Sequence, residues 1–317
     1  MKSLSNTWQA TPSDFSQGIV GRHPLISFFI LAYAISWLFW LPVSLSKDGI
    51  GIFPFSTPVL VLVAIGTFGP TFAAFITAAI TQGRAGVRLL LRRYLLWRVG
   101  LVWYLLAILG IPLFQILTAF LTSGATSAFY SPALLQIPSL FLDYLLSSCV
   151  SLPLGGPLGE EGGWRGFALP RMQPLLNPLG ASLVLGVFWA LWHLPLFYIK
   201  SWGGGGNQGQ APTLSVLLLY VIIVLAFSVI FTWFFNNTKG SLLLAILLHN
   251  GVDSGSVVFP TLFPQFDTGP GQTIGYIALA ILLITLTRAA LSYKRYLATN
   301  LREPEHREAS DPLPSVE

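Results

Sequence analysis

Five titratable side chains in this sequence sit where charge is ordinarily excluded. Glu160 and Glu161 lie in Gly159-Glu160-Glu161-Gly162-Gly163-Trp164-Arg165. His193 closes Phe188-Trp189-Ala190-Leu191-Trp192-His193, and His249 lies in Leu247-Leu248-His249-Asn250, with Asp253 one helical turn later. A charged group in hydrocarbon costs a few kcal/mol or more, so such groups face an internal cavity and usually serve a function. Carboxylates and imidazoles together can take a proton from water and return it to a leaving group, and they can also ligate a metal. Activation of water is therefore the chemistry these residue types allow.

Spacing suggests roles. In a helix, Glu161 and Arg165 share a face and pair, while Glu160 points elsewhere. Glu160 is then the candidate general base, with Glu161 and Arg165 locking the geometry around it. The plain alternative is an interfacial loop with two solvated acids and an ion pair. Trp189 stands one turn before His193, and Pro195 removes a donor from the helix just beyond it. His193 by itself is equally a hydrogen-bonding residue between helices. His249 and Asp253 project to one face, which suits a metal-binding pair or a histidine–carboxylate hydrogen bond. Their alternative is polar contact between helices, shared with Asn250. Asp143 is a further acid in an apolar run, with no role beyond a polar pair.

The elements that position these groups are helices in a membrane. The chain has 317 residues, 54% hydrophobic and 9% charged, against about 25% charged in a soluble domain. Eight apolar runs are each long enough to cross a hydrocarbon core of about 30 Å: Pro24–Leu45, Pro58–Ile80, Leu101–Thr122, Pro138–Gly155, Leu179–Ile199, Leu214–Phe235, Ser241–Val258 and Gln272–Tyr293. The runs are continuous rather than alternating, so the expectation is an all-α polytopic bundle, not a barrel. No secretory leader is expected, because the first apolar run starts late and is long enough to span.

Charge orients the bundle. Of the 17 Lys and Arg, only Lys47 and Lys200 fall outside when the N-terminus is placed inside, so both termini are expected in the cytoplasm. Arg84, Arg88, Arg92, Arg93 and Arg98 alternate with Leu, Tyr and Trp, which reads as a basic amphipathic helix over 84–98 anchored at lipid headgroups rather than a nucleic-acid surface. Residues 1–23 and 301–317 read as polar tails, 24–137 as scaffold, 138–258 as the working core and 259–300 as the last span. Asn177-Pro178 and Gly203–Gly206 mark loops. The single Cys149 rules out an internal disulfide and reads as a buried small hydrophobe. Arg288, near the inner end of the last span, is placed to snorkel to the interface.

Three motifs in order, Glu160-Glu161-x-x-x-Arg165, Trp189-x-x-x-His193 and His249-x-x-x-Asp253, resemble those of the CAAX protease and bacteriocin-processing family, the type II CAAX prenyl endopeptidases and their bacterial relatives. Trp164-Arg165-Gly166-Phe167 and His193-Leu194-Pro195 add to the likeness. The resemblance implies an intramembrane endopeptidase with a cytoplasm-facing active-site cavity. Glu160 and His193 would activate water, and His249 and Asp253 would stabilise an oxyanion or hold a metal. Its substrate would be a peptide or protein, prenylated in the eukaryotic members. Two positions depart from the family: Trp189 stands where Phe is usual, and Asp253 where Asn is frequent. An ionised Asp cannot donate to an oxyanion, so Asp253 is expected to be protonated or to ligate Zn²⁺ or another divalent metal together with Glu160, His193 and His249. Two rival readings use the same pocket, a non-proteolytic binding or bacteriocin-immunity protein and a proton-coupled transporter. The complete set of motif acids argues against the first, and the lack of an internal repeat against the second.

One conflict remains in the sequence. Counted from the cytoplasmic span ends at about 1.5 Å per residue, Glu160 falls near the surface, His249 about 12 Å deep and His193 about 21 Å deep. The break at Pro153, Gly155, Gly156 and Pro157 is expected to carry Glu160 back into the bundle.

Overall fold

The computed structural model describes residues 18–154, 156–202 and 211–292. Residues 1–17 of the N-terminal tail, Gly155, the Gly203–Gly206 run and the tail 301–317 lie outside the described residues. Among the described residues every regular element is helical, and eight helical stretches are long and apolar enough to cross a membrane. Helix is what a continuous apolar run must form there, since it satisfies each backbone group within its own segment.

The helices are α1 (Pro24–Leu45), α2 (Val59–Thr67), α3 (Gly69–Tyr94), α4 (Leu101–Ala119), α5 (Ile137–Leu154), α6 (Pro157–Gly163), α7 (Leu169–Trp192), α8 (Leu214–Asn237), α9 (Leu242–Gly255) and α10 (Gly269–Leu286). Prolines open several of them, at Pro24, Pro70, Pro157 and Pro170, positions where the missing N–H costs no hydrogen bond. Thr213 and Ser241 cap α8 and α9 by accepting from Val216 N and Leu244 N.

Two stretches depart from the expected spans because they fold back on themselves. In α3 the backbone reverses at Gly83 (φ 57°, ψ −146°), a conformation glycine adopts without penalty. The hydroxyls of Thr71 and Tyr94 then come within 3.5 Å across 23 residues, which a straight helix would hold about 35 Å apart. The basic segment expected as a helix over 84–98 is thus the return arm of a hairpin and ends at Tyr94. Arg84, Arg88 and Arg92 are exposed on it.

The second reversal matters more. Pro157–Tyr198 is one helical run of 42 residues, comprising α6, a π-helical turn over Trp164–Ala168, α7 and a 3-10 turn over Leu194–Tyr198. It turns at Asn177 (φ 58°, ψ 170°), with Pro178 next. Asn177 Oδ1 accepts from Gly180 N and starts the second arm. Residues 157–176, which lie between two of the expected spans, are therefore a helical arm packed against the arm that carries His193.

The core of the bundle is aromatic. Trp40, Trp164, Trp192, Phe28 and Phe167 are fully buried, with ring centroids 4.4 Å apart for Trp40 and Trp192 and 5.6 Å for Trp164 and Trp192. On α5 only Leu140 and Tyr144 are buried, and Cys149 is exposed, contrary to the expectation for it. An apolar residue on a lipid-facing helix needs no burial within the protein, so its hydrophobicity did not report its side.

Candidate active site

The Asn177 hairpin brings the motif residues to one level. Counted from that turn, Glu160 lies about 25 Å along one arm and His193 about 24 Å along the other. The conflict in depth came from counting from span ends that left 157–176 outside the bundle. Glu160 is 3% exposed, and Glu161 and Arg165 are 0% exposed, which removes the alternative of two solvated acids.

Local sequence explains the packing of α6. Gly156 precedes it at φ 126°, and a Cβ there would collide with the Glu160 carboxylate. A Cβ at Gly159 would strike the backbone of Thr67, and one at Gly163 would strike Pro70. The glycines flanking the acids let α6 lie directly on the α2–α3 junction. The following π turn shifts the helical phase where Trp164 and Arg165 enter the core, a placement common at functional sites.

Glu160 is held by Trp189, whose Nε1 donates to Oε2 at 2.6 Å. Glu161 is held by two groups through one oxygen. Arg165 Nη1 donates to Oε1 at 3.0 Å, and His249 Nδ1 lies 2.8 Å from the same atom. The Glu161–Arg165 pair is as the spacing predicted; the bond from Glu161 to His249 was not foreseen. Arg165 is stacked between two rings, its guanidinium carbon 4.1 Å from the centroid of Trp189 and 4.4 Å from that of Phe231. Such cation–π contacts are strongest when desolvated.

The histidines are oriented by these contacts. His193 Nδ1 lies 2.8 Å from the Trp189 carbonyl. A carbonyl only accepts, so Nδ1–H donates and the neutral ring keeps its lone pair on Nε2. His193 also packs against Trp192, Trp202 and Tyr220, with centroids at 4.7, 6.2 and 5.6 Å. With Glu161 ionised, His249 Nδ1–H donates to it, and Nε2 faces Asp253 Oδ2 at 3.7 Å. The rings of Trp189 and Phe231 flank His249 at 5.6 and 5.4 Å. Asp253 also receives Ser151 Oγ at 3.5 Å.

Trp189 thus touches Glu160, Arg165, His193 and His249, and Asp253 joins through His249. Asp143 is not part of this group; it lines an apolar groove of about 590 Å³ beside α5, with Ser147 and Ser151. Phe231, Tyr220 and Ser151 had no signal in the sequence beyond lying in apolar runs. Among the described residues no group of three or more His, Cys, Asp or Glu side chains is arranged to hold a metal ion.

Comparison with known proteins converges on the same stretch. Residues 142–255, which hold all the site residues above, match the family described as Type II CAAX prenyl endopeptidase Rce1-like. Over 92 residues the chain is 33% identical to a protein of Methanococcus maripaludis named CAAX prenyl protease 2. That stretch is 28% of this chain and 32% of the relative, so the chain spans about a third of the length of the curated relative it matches. Over this segment the chain is similar to the Rce1-like type II CAAX prenyl endopeptidases.

Proposed function

We propose that this chain is an integral membrane endopeptidase in which Glu160 is the general base. The observation that carries the reading is the separation of the two adjacent acids into two tasks. Glu161 is committed to Arg165 and His249, while Glu160 receives one donor, the Trp189 indole. A carboxylate oriented by a single hydrogen bond keeps lone pairs free to accept a proton from water.

In the proposed reaction a water held between Glu160 and His193 Nε2 attacks the scissile carbonyl carbon. Its proton passes to Glu160, the carbonyl π bond opens to an oxyanion, and the C–N bond then breaks as Glu160 returns the proton to the amine nitrogen. His249, fixed by Glu161, presents Nε2 on the side of Asp253, where a protonated imidazole donates to developing negative charge. The family and the named relative support a peptide or protein substrate. A prenylated CAAX tail is the first to try.

The test is cleavage of a farnesylated CAAX peptide and its unmodified counterpart by the full chain in proteoliposomes. Glu160→Gln keeps the volume but cannot accept the proton, so the rate should fall about 10²–10⁴-fold with the thermal melt unchanged. Cleavage by Glu160→Gln at the wild-type rate would sink the assignment. A chelator arm addresses the metal: loss of activity restored by Zn²⁺ would put a metal at His249 and Asp253.

A further inference from the structure

Asp143 stands apart from the cluster, and the proposed reaction does not use it. An acid in an apolar span is costly unless it is paired, and such residues ordinarily turn inward. Asp143 is instead exposed, on a helix, α5, that buries only Leu140 and Tyr144. Among the described residues it has no hydrogen-bond or ion-pair partner.

Two hydroxyls extend from it along the same face. Asp143, Ser147 and Ser151 follow at intervals of one helical turn, which sets them in a row, and all three line the groove beside α5 with Leu60 of α2 and Val257 opposite. The row ends at the candidate active site: Ser151 Oγ is 3.5 Å from Asp253 Oδ2, and Asp253 faces His249 Nε2 at 3.7 Å. The groove is therefore continuous with the place where the oxyanion forms. From Asp143 to Ser151 the helix rises about 12 Å, a length that an extended peptide covers in about three to four residues at about 3.3 Å each. A peptide must be unwound around the bond that is cut, and its freed N–H and C=O groups need partners where water is scarce. The Ser147 and Ser151 hydroxyls can donate and accept there.

We propose that Asp143 is a specificity-determining residue of this chain: the groove holds the substrate in extended form, and the Asp143 carboxylate pairs with a Lys or Arg side chain about three to four residues from the scissile bond. This rests on the proteolytic reading above. The cationic side chain supplies the partner that the protein does not, and the acid in turn selects a basic residue over a neutral or acidic one. The pair forms in bound substrate and transition state alike, so it acts on KM more than on kcat.

The experiment is a scan of the farnesylated CAAX peptide in which a single Lys, or its uncharged analogue norleucine, is moved one position at a time along both sides of the scissile bond. The full chain, Asp143→Asn, Asp143→Glu and Asp143→Lys are compared in phosphatidylcholine proteoliposomes. The wild type should cleave the Lys peptide with kcat/KM higher than the norleucine peptide by about tenfold or more at a position about three to four residues from the bond, as for a desolvated charge pair. Asp143→Asn should bring that ratio close to one, Asp143→Glu should keep it, and Asp143→Lys should transfer the preference to Glu at the same position. The ratio is read within each variant, so a smaller folded fraction does not move it. A flat scan for the wild type, a preference that survives Asp143→Asn, or one confined to the residues adjoining the bond overturns the proposal. So does a loss in Asp143→Asn that is equal for Lys and norleucine peptides and appears only with phosphatidylethanolamine in the vesicle, which makes a lipid amine the partner. Glu160→Gln is run alongside on the preferred peptide. Its full activity overturns the proteolytic reading, and the role of Asp143 falls with it; an inactive Glu160→Gln beside a flat scan overturns the role of Asp143 alone.

Discussion

Trp189 and Glu160 are joined by a 2.6 Å hydrogen bond across 29 residues, a distance that a straight helix would stretch to about 44 Å. The bond exists only because the chain reverses between them. Trp189→Phe restores the residue usual in the family and removes the donor while keeping the ring under Arg165. The expected result is an unchanged fold and a cleavage rate lower by about 10–100-fold, the range for loss of an orienting partner. An unchanged rate would mean that α6 packing alone aims the Glu160 carboxylate.

Glu161 should behave differently from its neighbour. It is fully buried with Arg165, and removing one member of a buried pair costs about 3–5 kcal/mol because the other charge stays desolvated. Glu161→Gln should therefore lower the thermal melt, where Glu160→Gln should not. Adding Arg165→Met should recover stability without recovering activity, since His249 still lacks its charged acceptor.

Gly156 is expected to tolerate no side chain. At φ 126° an L residue is strained by about 1–3 kcal/mol, and its Cβ would meet the Glu160 carboxylate. Gly156→Ala should lose most activity and some stability. A variant that melts like wild type and cleaves at the wild-type rate would show that the backbone there relaxes freely.

Asp48, in the loop after α1, gives a pH-dependent prediction. Its Oδ2 accepts from Thr57 N at 2.6 Å and Thr57 Oγ1 at 2.9 Å, and the backbone donor first, then the hydroxyl, holds its carboxyl below the usual range. A depressed carboxyl stabilises the fold fully above its unfolded value, about 3.9, and that contribution is lost as pH falls through the folded value. Asp48→Asn mimics the protonated acid. Its melt should lie below wild type at pH 7, and the gap should close as the solution is taken below about pH 3.9.

The orientation of the bundle is open to labelling. With Cys149→Ser as background, cysteines placed at Ser5 and Ser310 should resist an impermeant external reagent in intact cells, as the distribution of Lys and Arg requires. Labelling of either site would reverse the assignment of both ends.

The motif residues and the Glu161–Arg165 pair were legible in the sequence because both follow from residue type and helical spacing. So was the helical class, from continuous apolar runs. The Glu161–His249 bond was not, because it spans 88 residues and depends on how α6 meets α9. The arm over 157–176 was hidden by its composition. Gly156, Gly159, Gly162, Gly163, Pro170 and Pro174 read locally as loop, yet the glycines serve close packing and Pro170 sits where a helix accepts it. Asn177-Pro178 was recognised as a break, but a break alone does not distinguish a loose connection from a tight reversal.

The reversal at Asn177 also makes the cluster a matter of register between two arms. Deleting one residue from either arm would rotate its far end by about 100° and slide it about 1.5 Å. Glu160 would then face away from Trp189 although every catalytic side chain was still present. Matched deletions of about seven residues, two helical turns, on each side of the turn would shorten the hairpin by about 10 Å and return Glu160, Trp189 and His193 to nearly the same faces and level. The arms can therefore change length only together and only in near-whole turns.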